Sequence, residues 1–144
     1  MAHVPALLDS DTLSEIMKGK DPQVLHNARE YLQEHRFLRF SLITRYEILR
    51  GLYAKDAERQ IAAFLGRCQA SIVYPLTEEI IDRAASLYGS LRKRGQMISE
   101  GDLLIAATAL LQDLVLVTGN EDHFQRIEGL RFVNWRKNLS VSPS

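Results

Sequence analysis

The stretch Ser99–Asn120, SEGDLLIAATALLQDLVLVTGN, contains the pattern that decides the fold. Ser99 with Asp102 three residues later is a helix-start signal, and the apolar run LLIAATALL that follows predicts a buried helix. After a polar Gln-Asp pair, the run LVLVT is rich in residues that favour strands and predicts a strand ending at Thr118. A helix that leads directly into an apolar strand is typical of an α/β protein with a parallel sheet covered on both faces.

The same alternation of strands and helices extends along the rest of the chain. Further strands are predicted at Val4–Leu8, Phe37–Ser41, Ser71–Tyr74 and Arg131–Asn134. The first predicted helix starts at a capping pattern of Thr12 with Glu15 and stops at Gly19, and the second runs from Asp21-Pro22 to about Glu34. The third carries Ile43–Tyr53 and breaks near Gly51 or Asp56. The next two helices cover Ala57–Gln69 and run from Thr77 to Gly95. Strands that alternate with helices throughout predict a single α/β unit.

Composition sets the size and class of the protein. With 144 residues, 46% of them hydrophobic and 25% charged, the chain is predicted to form one domain over residues 1–138, with residues 139–144 as a loose C-terminal tail. Cys68 is the single cysteine, which excludes an intrachain disulfide and a cysteine-based zinc framework. The N-terminal sequence MAHVPALLDSD is unlike a signal peptide or a membrane span, so we expect a cytoplasmic protein without membrane attachment. Zero formal net charge means that any binding of nucleic acid must be local.

Acidic side chains are predicted to meet at one edge of the sheet. Asp9 and Asp11 follow the first strand, Thr118–Asp122 follows LVLV, Asp102 lies in the first turn of the preceding helix, and Glu47 lies early in the helix after the second strand. In an open α/β sheet, ligands bind outside the carboxyl ends of the strands. Carboxylates without basic partners repel one another, so a hard cation such as Mg²⁺ or Mn²⁺ is the natural occupant. Such an ion activates water and stabilises charge on a phosphodiester, which is nuclease chemistry.

Each acid also has an ordinary structural explanation. Asp9 is a common turn or cap residue, and Asp102 is favoured by the helix dipole in a first turn. Glu47 can pair with Arg50 three residues later. The nuclease interpretation therefore depends on the combination of acids and on none of them singly.

Four segments, in order, carry a resemblance to a known family. They are LLDSDTLSE at Leu7–Glu15, SLITRYEILRGL at Ser41–Leu52, GQMISEGDLLIAATAL at Gly95–Leu110 and LVLVTGNEDHFQRIEGLRFVNW at Leu114–Trp135. Together they resemble the PIN-domain family and, within it, the VapC-like toxins. The resemblance implies a three-layer α/β/α fold around a short central parallel sheet and a Mg²⁺- or Mn²⁺-dependent endoribonuclease. It also implies homodimerisation and inhibition by a small VapB-like antitoxin, and it places metal ligands at Asp9, Glu47 and Asp102.

Two positions depart from the family's commoner pattern. The turn reads DSD where many relatives have D-T-N, so Asp11 adds a carboxylate beside Asp9. Asn120 stands where many PIN domains carry a fourth acid, and His123 holds a place often filled by Asp or Glu. We expect a metal held mainly by Asp9 and Asp102, with Glu47 close by or bridged through water. The secondary candidates are Asp11, Thr118 and Asn120 as ligands and Asp122 as a further catalytic acid.

Other residues have weaker functional signals. Arg92, Lys93 and Arg94 are candidates for RNA contact, although basic residues at a helix C-terminus are also favoured by the dipole. A lone His such as His123 before a core Phe is more often structural than a proton shuttle. The four histidines show no zinc-ligand spacing. The apolar faces around Tyr46–Tyr53 and Ile61–Leu65 are candidate dimer surfaces.

Two competing functions were weighed against the nuclease. A phosphatase of the haloacid-dehalogenase type has a strand followed by D-x-D-x-[TV], whereas here the Thr of DSDT comes one residue early and Leu13 fills the required position. A non-catalytic PIN-like binding module is the second alternative. Such modules usually lose the metal acids, while Asp9, Glu47 and Asp102 are all present.

Overall fold

The structure is a computed structural model that describes residues 4–139. Its strands are β1 (Ala6–Leu8), β2 (Arg39–Ser41), β3 (Ile72–Tyr74), β4 (Val115–Val117) and β5 (Phe132–Val133). Its helices are α1 (Ser10–Lys18), α2 (Pro22–His35), α3 (Leu42–Ala54), α4 (Glu58–Gln69), α5 (Glu78–Lys93), α6 (Glu100–Leu111) and α7 (Glu121–Phe124). The predicted strands and helices are all present, and most observed strands are shorter than their apolar runs.

All strand pairs in this range are parallel. One ladder has the order β1-β4-β5, and the second pairs β2 with β3. β1 and β2 contact each other, although the hydrogen-bonded ladders run within each group. The predicted single sheet is therefore divided into two parallel ladders. Because β1 and β4 are parallel, their carboxyl ends lie at the same edge, and the contacts of Ser10 with Thr44 and Glu47 bring the helix that follows β2 to that edge.

Alternate residues of β1 and β4 point into two separate cores, as the two-residue period of a strand requires. Leu7 and Leu116 lie in a core with α5 and α6, whereas Ala6, Leu8 and Val117 lie in a core with α1, α2, α3 and α4. Both sets are almost fully buried. Helices thus cover both faces of the sheet, which confirms the predicted three-layer α/β/α arrangement.

Helix caps explain most of the element boundaries. Asp21, Thr77 and Ser99 cap α2, α5 and α6 as predicted, each accepting a hydrogen bond from a first-turn backbone N–H. The predicted capping pattern at Thr12 is wrong. The N-cap of α1 is Asp9, whose side chain accepts from the Thr12 backbone N–H, so the helix begins three residues earlier than the pattern indicated.

Two further boundaries can be compared with the predicted ones. α3 continues through Gly51 and ends at Ala54, close to the alternative predicted break at Asp56. Of the predicted tail, the structure describes only Leu139, which packs against the second core, and residues 140–144 lie outside the described range. Within residues 4–139, no helix is long and apolar enough to cross a membrane.

Candidate active site

Asp9 lies directly after β1 and is almost completely buried, with 4% of its surface exposed. Its backbone N–H donates to the carbonyl of Val117 at 3.0 Å, which fixes the end of β1 beside the end of β4. Its Oδ1 accepts from the backbone N–H of Thr12 at 2.8 Å. Burial raises the pKa of Asp9, and hydrogen bonds from Thr118 and Thr12 offset part of that rise. The carboxyl group is therefore fixed in place, and its negative charge is poorly solvated.

The turn after β4 supports Asp9 from the other side. Thr118 is fully buried, and its hydroxyl accepts from the backbone N–H of Asn120 at 2.9 Å. The same hydroxyl lowers the pKa of Asp9 by hydrogen bonding to its carboxyl group. Thr118, which the sequence indicated as a secondary metal ligand, is thus placed to orient Asp9.

Asp102 lies in the first turn of α6, where its backbone N–H donates to the capping hydroxyl of Ser99 at 3.2 Å. Its Oδ2 is 3.5 Å from Nδ1 of His123, and that same Nδ1 is 2.7 Å from Nδ2 of Asn120. Burial raises the pKa of Asp102, while His123 and Ser99 lower it by hydrogen bonding. α6, α7 and the turn after β4 therefore meet at this carboxyl group.

Glu47 extends from α3 toward α1 and α6. Its Oε1 accepts a short hydrogen bond of 2.6 Å from the hydroxyl of Ser10, whose Oγ also lies 3.1 Å from Oγ1 of Thr44. A Cβ built on Gly101 would lie 2.5 Å from its Oε2. The predicted pairing with Arg50 is loose, at 4.0 Å, and the guanidinium is largely exposed. Glu47 is thus held mainly by residues adjacent in sequence to Asp9 and Asp102.

Asp11 acts electrostatically on both the buried Asp9 and the partly buried Asp102. It is exposed on α1, and its negative charge contributes to the raised pKa of both Asp9 and Asp102. Asp11 therefore lies within electrostatic range of both aspartates. Asp9 follows β1 directly, and Asp102 contacts His123 just after the turn that follows β4, so both lie near the carboxyl edge of β1 and β4, where the sequence predicted the site.

The donor set at this edge determines whether it suits a divalent cation. Within residues 4–139, no three His, Cys, Asp or Glu side chains form a ready-made metal cluster, so the predicted cluster of three carboxylates is not assembled as such. Mg²⁺ usually keeps several waters and binds through one or two carboxylates. Asp9 and Asp102 offer that donor set, and both are poorly solvated as anions, so the residues fit a hydrated Mg²⁺ or Mn²⁺ ion.

The remaining predicted residues lie at different places. Asp122 is exposed on α7, and His123 is the α7 side chain that reaches Asp102. Arg92 and Lys93 are exposed at the end of α5, whereas Arg94 donates to the backbone carbonyl of Arg126 at 3.0 Å.

Sequence reasoning missed Ser10, Thr44 and Gly101. The three lack charge, so a search for clustered acids does not select them. One signal was available, because Ser10 and Gly101 directly adjoin Asp9 and Asp102 in sequence. A short polar or glycine neighbour beside an acid at a sheet edge permits the close approach of another side chain.

Comparison with known proteins identifies the family. A sequence profile for the PIN domain matches residues 6–130. The chain is 30% identical over 133 residues to ribonuclease VapC1 of Haemophilus influenzae (strain R2866), with 91% of this chain and 98% of that protein covered. It is 36% identical over 129 residues to ribonuclease VapC10 of Mycobacterium tuberculosis (strain H37Rv), covering 87% and 90%.

Solved structures have the same fold. VapBC-1 from nontypeable Haemophilus influenzae superposes with a TM-score of 0.76 at 28% identity and covers 92% of this chain and 98% of its own. DNA-bound VapBC from Salmonella typhimurium gives a TM-score of 0.81 at 24% identity, with coverages of 92% and 99%. The PIN-domain profile matches most of this chain, and its relatives align over nearly their full length. The chain therefore belongs to the PIN-domain family.

Proposed function

We propose that this protein is a Mg²⁺- or Mn²⁺-dependent endoribonuclease and the toxin of a toxin–antitoxin pair, inhibited by a small VapB-like antitoxin. The observation that carries the proposal is the pair of poorly solvated aspartates, buried Asp9 and partly buried Asp102, whose pKa values are both raised by burial and by the charge of Asp11. The ribonuclease names of near full-length relatives support the reaction class.

Asp9 and Asp102 would hold the ion in this proposal. When bound, it supplies Lewis-acid stabilisation of phosphodiester charge and lowers the pKa of a bound water. The protein's own residues fix the geometry, since Thr118 and Thr12 orient Asp9 and Ser10 orients Glu47. Glu47, with about a quarter of its side chain exposed, orients water at the same edge.

The proposed partners have separate support. The Haemophilus influenzae relative of known structure is a VapBC assembly, which supports a VapB-like antitoxin. We also propose a homodimer, because Leu42, Tyr46 and Tyr53 expose large apolar surface along α3. Light scattering at micromolar concentration tests this, and a monomeric mass would count against it.

The nuclease proposal is tested on the purified chain with a labelled RNA. Cleavage should require Mg²⁺ or Mn²⁺ and cease in EDTA, and Asp9→Asn and Asp102→Asn should each lower the rate by at least about a hundredfold, because each removes charge that holds the ion. Asp82→Asn, which changes an exposed aspartate on α5, is the matched control and should cleave like wild type. Undiminished cleavage in EDTA, or equal rates in Asp102→Asn and wild type, would refute the proposal.

A further inference from the structure

The carboxylate of Glu47 is fixed between two residues that carry no charge. Ser10 donates to Oε1 at 2.6 Å from the first turn of α1, and its hydroxyl is itself within 3.1 Å of Thr44. On the opposite side, Oε2 lies against the backbone of Gly101 in the first turn of α6. Glu47 is thereby held beside both α1 and α6, the two helices whose N-terminal ends carry Asp9 and Asp102.

Gly101 differs from the other helical glycines of residues 4–139. A Cβ at Gly51, Gly66 or Gly89 would meet no atom within 4 Å, whereas a Cβ at Gly101 would lie 2.5 Å from Oε2 and 3.2 Å from Cδ of Glu47. The glycines with positive φ in this range are three others, and Gly101 is not among them, so a left-handed backbone does not explain why residue 101 is glycine. Glycine inside a helix is less stable than alanine. The missing side chain therefore gives room to Glu47 and provides no benefit to the helix.

The obstructed atom is the end of a flexible side chain. An added methyl group at 101 can be accommodated when Glu47 rotates away, without displacement of α6 or the core. That rotation moves Oε1 away from the Ser10 hydroxyl, because the two contacts lie at opposite ends of one carboxylate. A change at 101 is thus tolerable for folding and damaging for the placement of Glu47.

We propose that Gly101 and Ser10 are positioning residues that together hold the Glu47 carboxylate next to Asp102. The inference rests on the proposed nuclease function, in which Glu47 orients water at the metal-binding edge. Gly101 acts by leaving space and Ser10 by donating a hydrogen bond. Neither residue touches the reacting atoms in this assignment.

The test compares Gly101→Ala with Gly66→Ala, the same change at an exposed site in α4 where the methyl group meets nothing. For Gly101→Ala we expect kcat for RNA cleavage to fall at least about tenfold while KM is unchanged. The melting temperature should stay the same or rise, because alanine favours helix. Gly66→Ala should keep wild-type kcat. Equal kcat in Gly101→Ala and wild type would overturn the inference, whereas absence of metal-dependent cleavage in wild type would instead refute the proposed function.

A double-mutant cycle separates positioning from general damage. In a Glu47→Ala background, measured by single-turnover cleavage with enzyme in excess, Gly101→Ala should cost nothing further because there is no carboxylate to displace. A crystal structure of Gly101→Ala should show the Ser10–Glu47 hydrogen bond broken, and Ser10→Ala should lower kcat while Ser10→Thr restores it. A full Gly101→Ala cost in the Glu47→Ala background, or an unmoved Glu47 in the Gly101→Ala structure, would overturn the inference.

Discussion

The imidazole of His123 faces Asp102 at the acidic edge, with Nδ1 3.5 Å from Oδ2 of that aspartate. The same nitrogen lies 2.7 Å from the side-chain amide of Asn120. Neither group brings negative charge to the site, and Asp122 on the same short helix is exposed. We therefore expect Asp9 and Asp102 to be the primary charged ligands of a cation, with Glu47 and the exposed Asp11 as further negative charges nearby.

This distribution of charge predicts a ranking of variants in Mn²⁺ binding. Asp9→Asn and Asp102→Asn should each weaken the affinity strongly, because a hard cation loses one of two charged ligands. Asn120→Ala should have a smaller effect and Asp122→Asn the smallest. Calorimetric titration of Mn²⁺ into each purified variant measures the order. If Asp122→Asn weakened binding as much as Asp9→Asn while Asp102→Asn left it unchanged, the assignment of the primary ligands would be wrong.

Some residues of this site could be predicted from the sequence, and others could not. Asp9 and Asp102 were predictable because strand ends and helix starts are local patterns, and parallel strands bring their carboxyl ends to one edge. His123 was predicted to be structural, because the local sequence His123-Phe124 does not indicate that the His123 ring faces Asp102, 21 residues earlier. Gly101 was not predicted at all, because its role depends on a side chain of another helix.

The fold shows the same division between local and tertiary information. The caps at Asp21, Thr77 and Ser99 were predicted correctly, as each depends on a few adjacent residues. The start of α1 was misplaced because the Thr12–Glu15 pattern was taken as its cap, whereas the structure uses Asp9, a candidate metal ligand, as the N-cap directly after β1. A residue with several roles is difficult to assign from a pattern that scores one role at a time.

Asp9→Asn is predicted to raise the melting temperature of the metal-free protein and to abolish the rise in melting temperature that Mg²⁺ gives wild type. Burial raises the pKa of Asp9. The folded state therefore favours the protonated form, and stability falls as pH rises through the range in which the unfolded chain's aspartate ionises. At neutral pH the buried charge is a cost that asparagine removes while still accepting from the Thr12 backbone N–H.

Melting temperatures in EDTA and in excess Mg²⁺, measured from about pH 4 to pH 8, check this prediction. Wild type should lose stability with rising pH more steeply than Asp9→Asn in EDTA and should recover it with Mg²⁺. Asp82→Asn is again the control, and it should follow the wild-type curve. A lower melting temperature for Asp9→Asn than for wild type in EDTA at pH 7 would contradict the account of a costly buried charge.

Expression of the chain without a partner is predicted to arrest bacterial growth, as expected of a toxin ribonuclease. The arrest should disappear in Asp102→Asn, because that variant keeps the fold and loses charge at the candidate metal site. Growth curves with matched protein levels, checked by immunoblot, provide the measurement. Equal arrest by wild type and Asp102→Asn would place the harm outside this site, and the toxin assignment would fail.

The last prediction concerns where RNA phosphates bind in a protein of zero net charge. Arg126 follows His123 by three residues, and its guanidinium donates to the carbonyl of Met97 at 3.0 Å, in the segment just before α6. Arg94 donates in turn to the carbonyl of Arg126 at 3.0 Å. Backbone carbonyls carry no full charge, so both arginines keep their positive charge and further N–H donors. We predict that this pair, bonded to each other and to the segment just before α6, contacts RNA phosphates in preference to Arg92 and Lys93.

Arg126→Ala and Arg94→Ala should therefore weaken binding of a non-cleavable 2′-O-methyl RNA and reduce the slope of log affinity against log salt by about 0.7 for each lost phosphate contact. Arg131→Ala is the matched control, because Arg131 pairs with Asp113 at 2.9 Å at the opposite edge of the sheet, before β4 begins. Fluorescence anisotropy across a salt series, with melting temperatures recorded for each variant, gives the comparison. If the salt slopes of Arg126→Ala and Arg94→Ala equal that of Arg131→Ala, the two arginines only brace the backbone, and the RNA must approach Asp102 from another side.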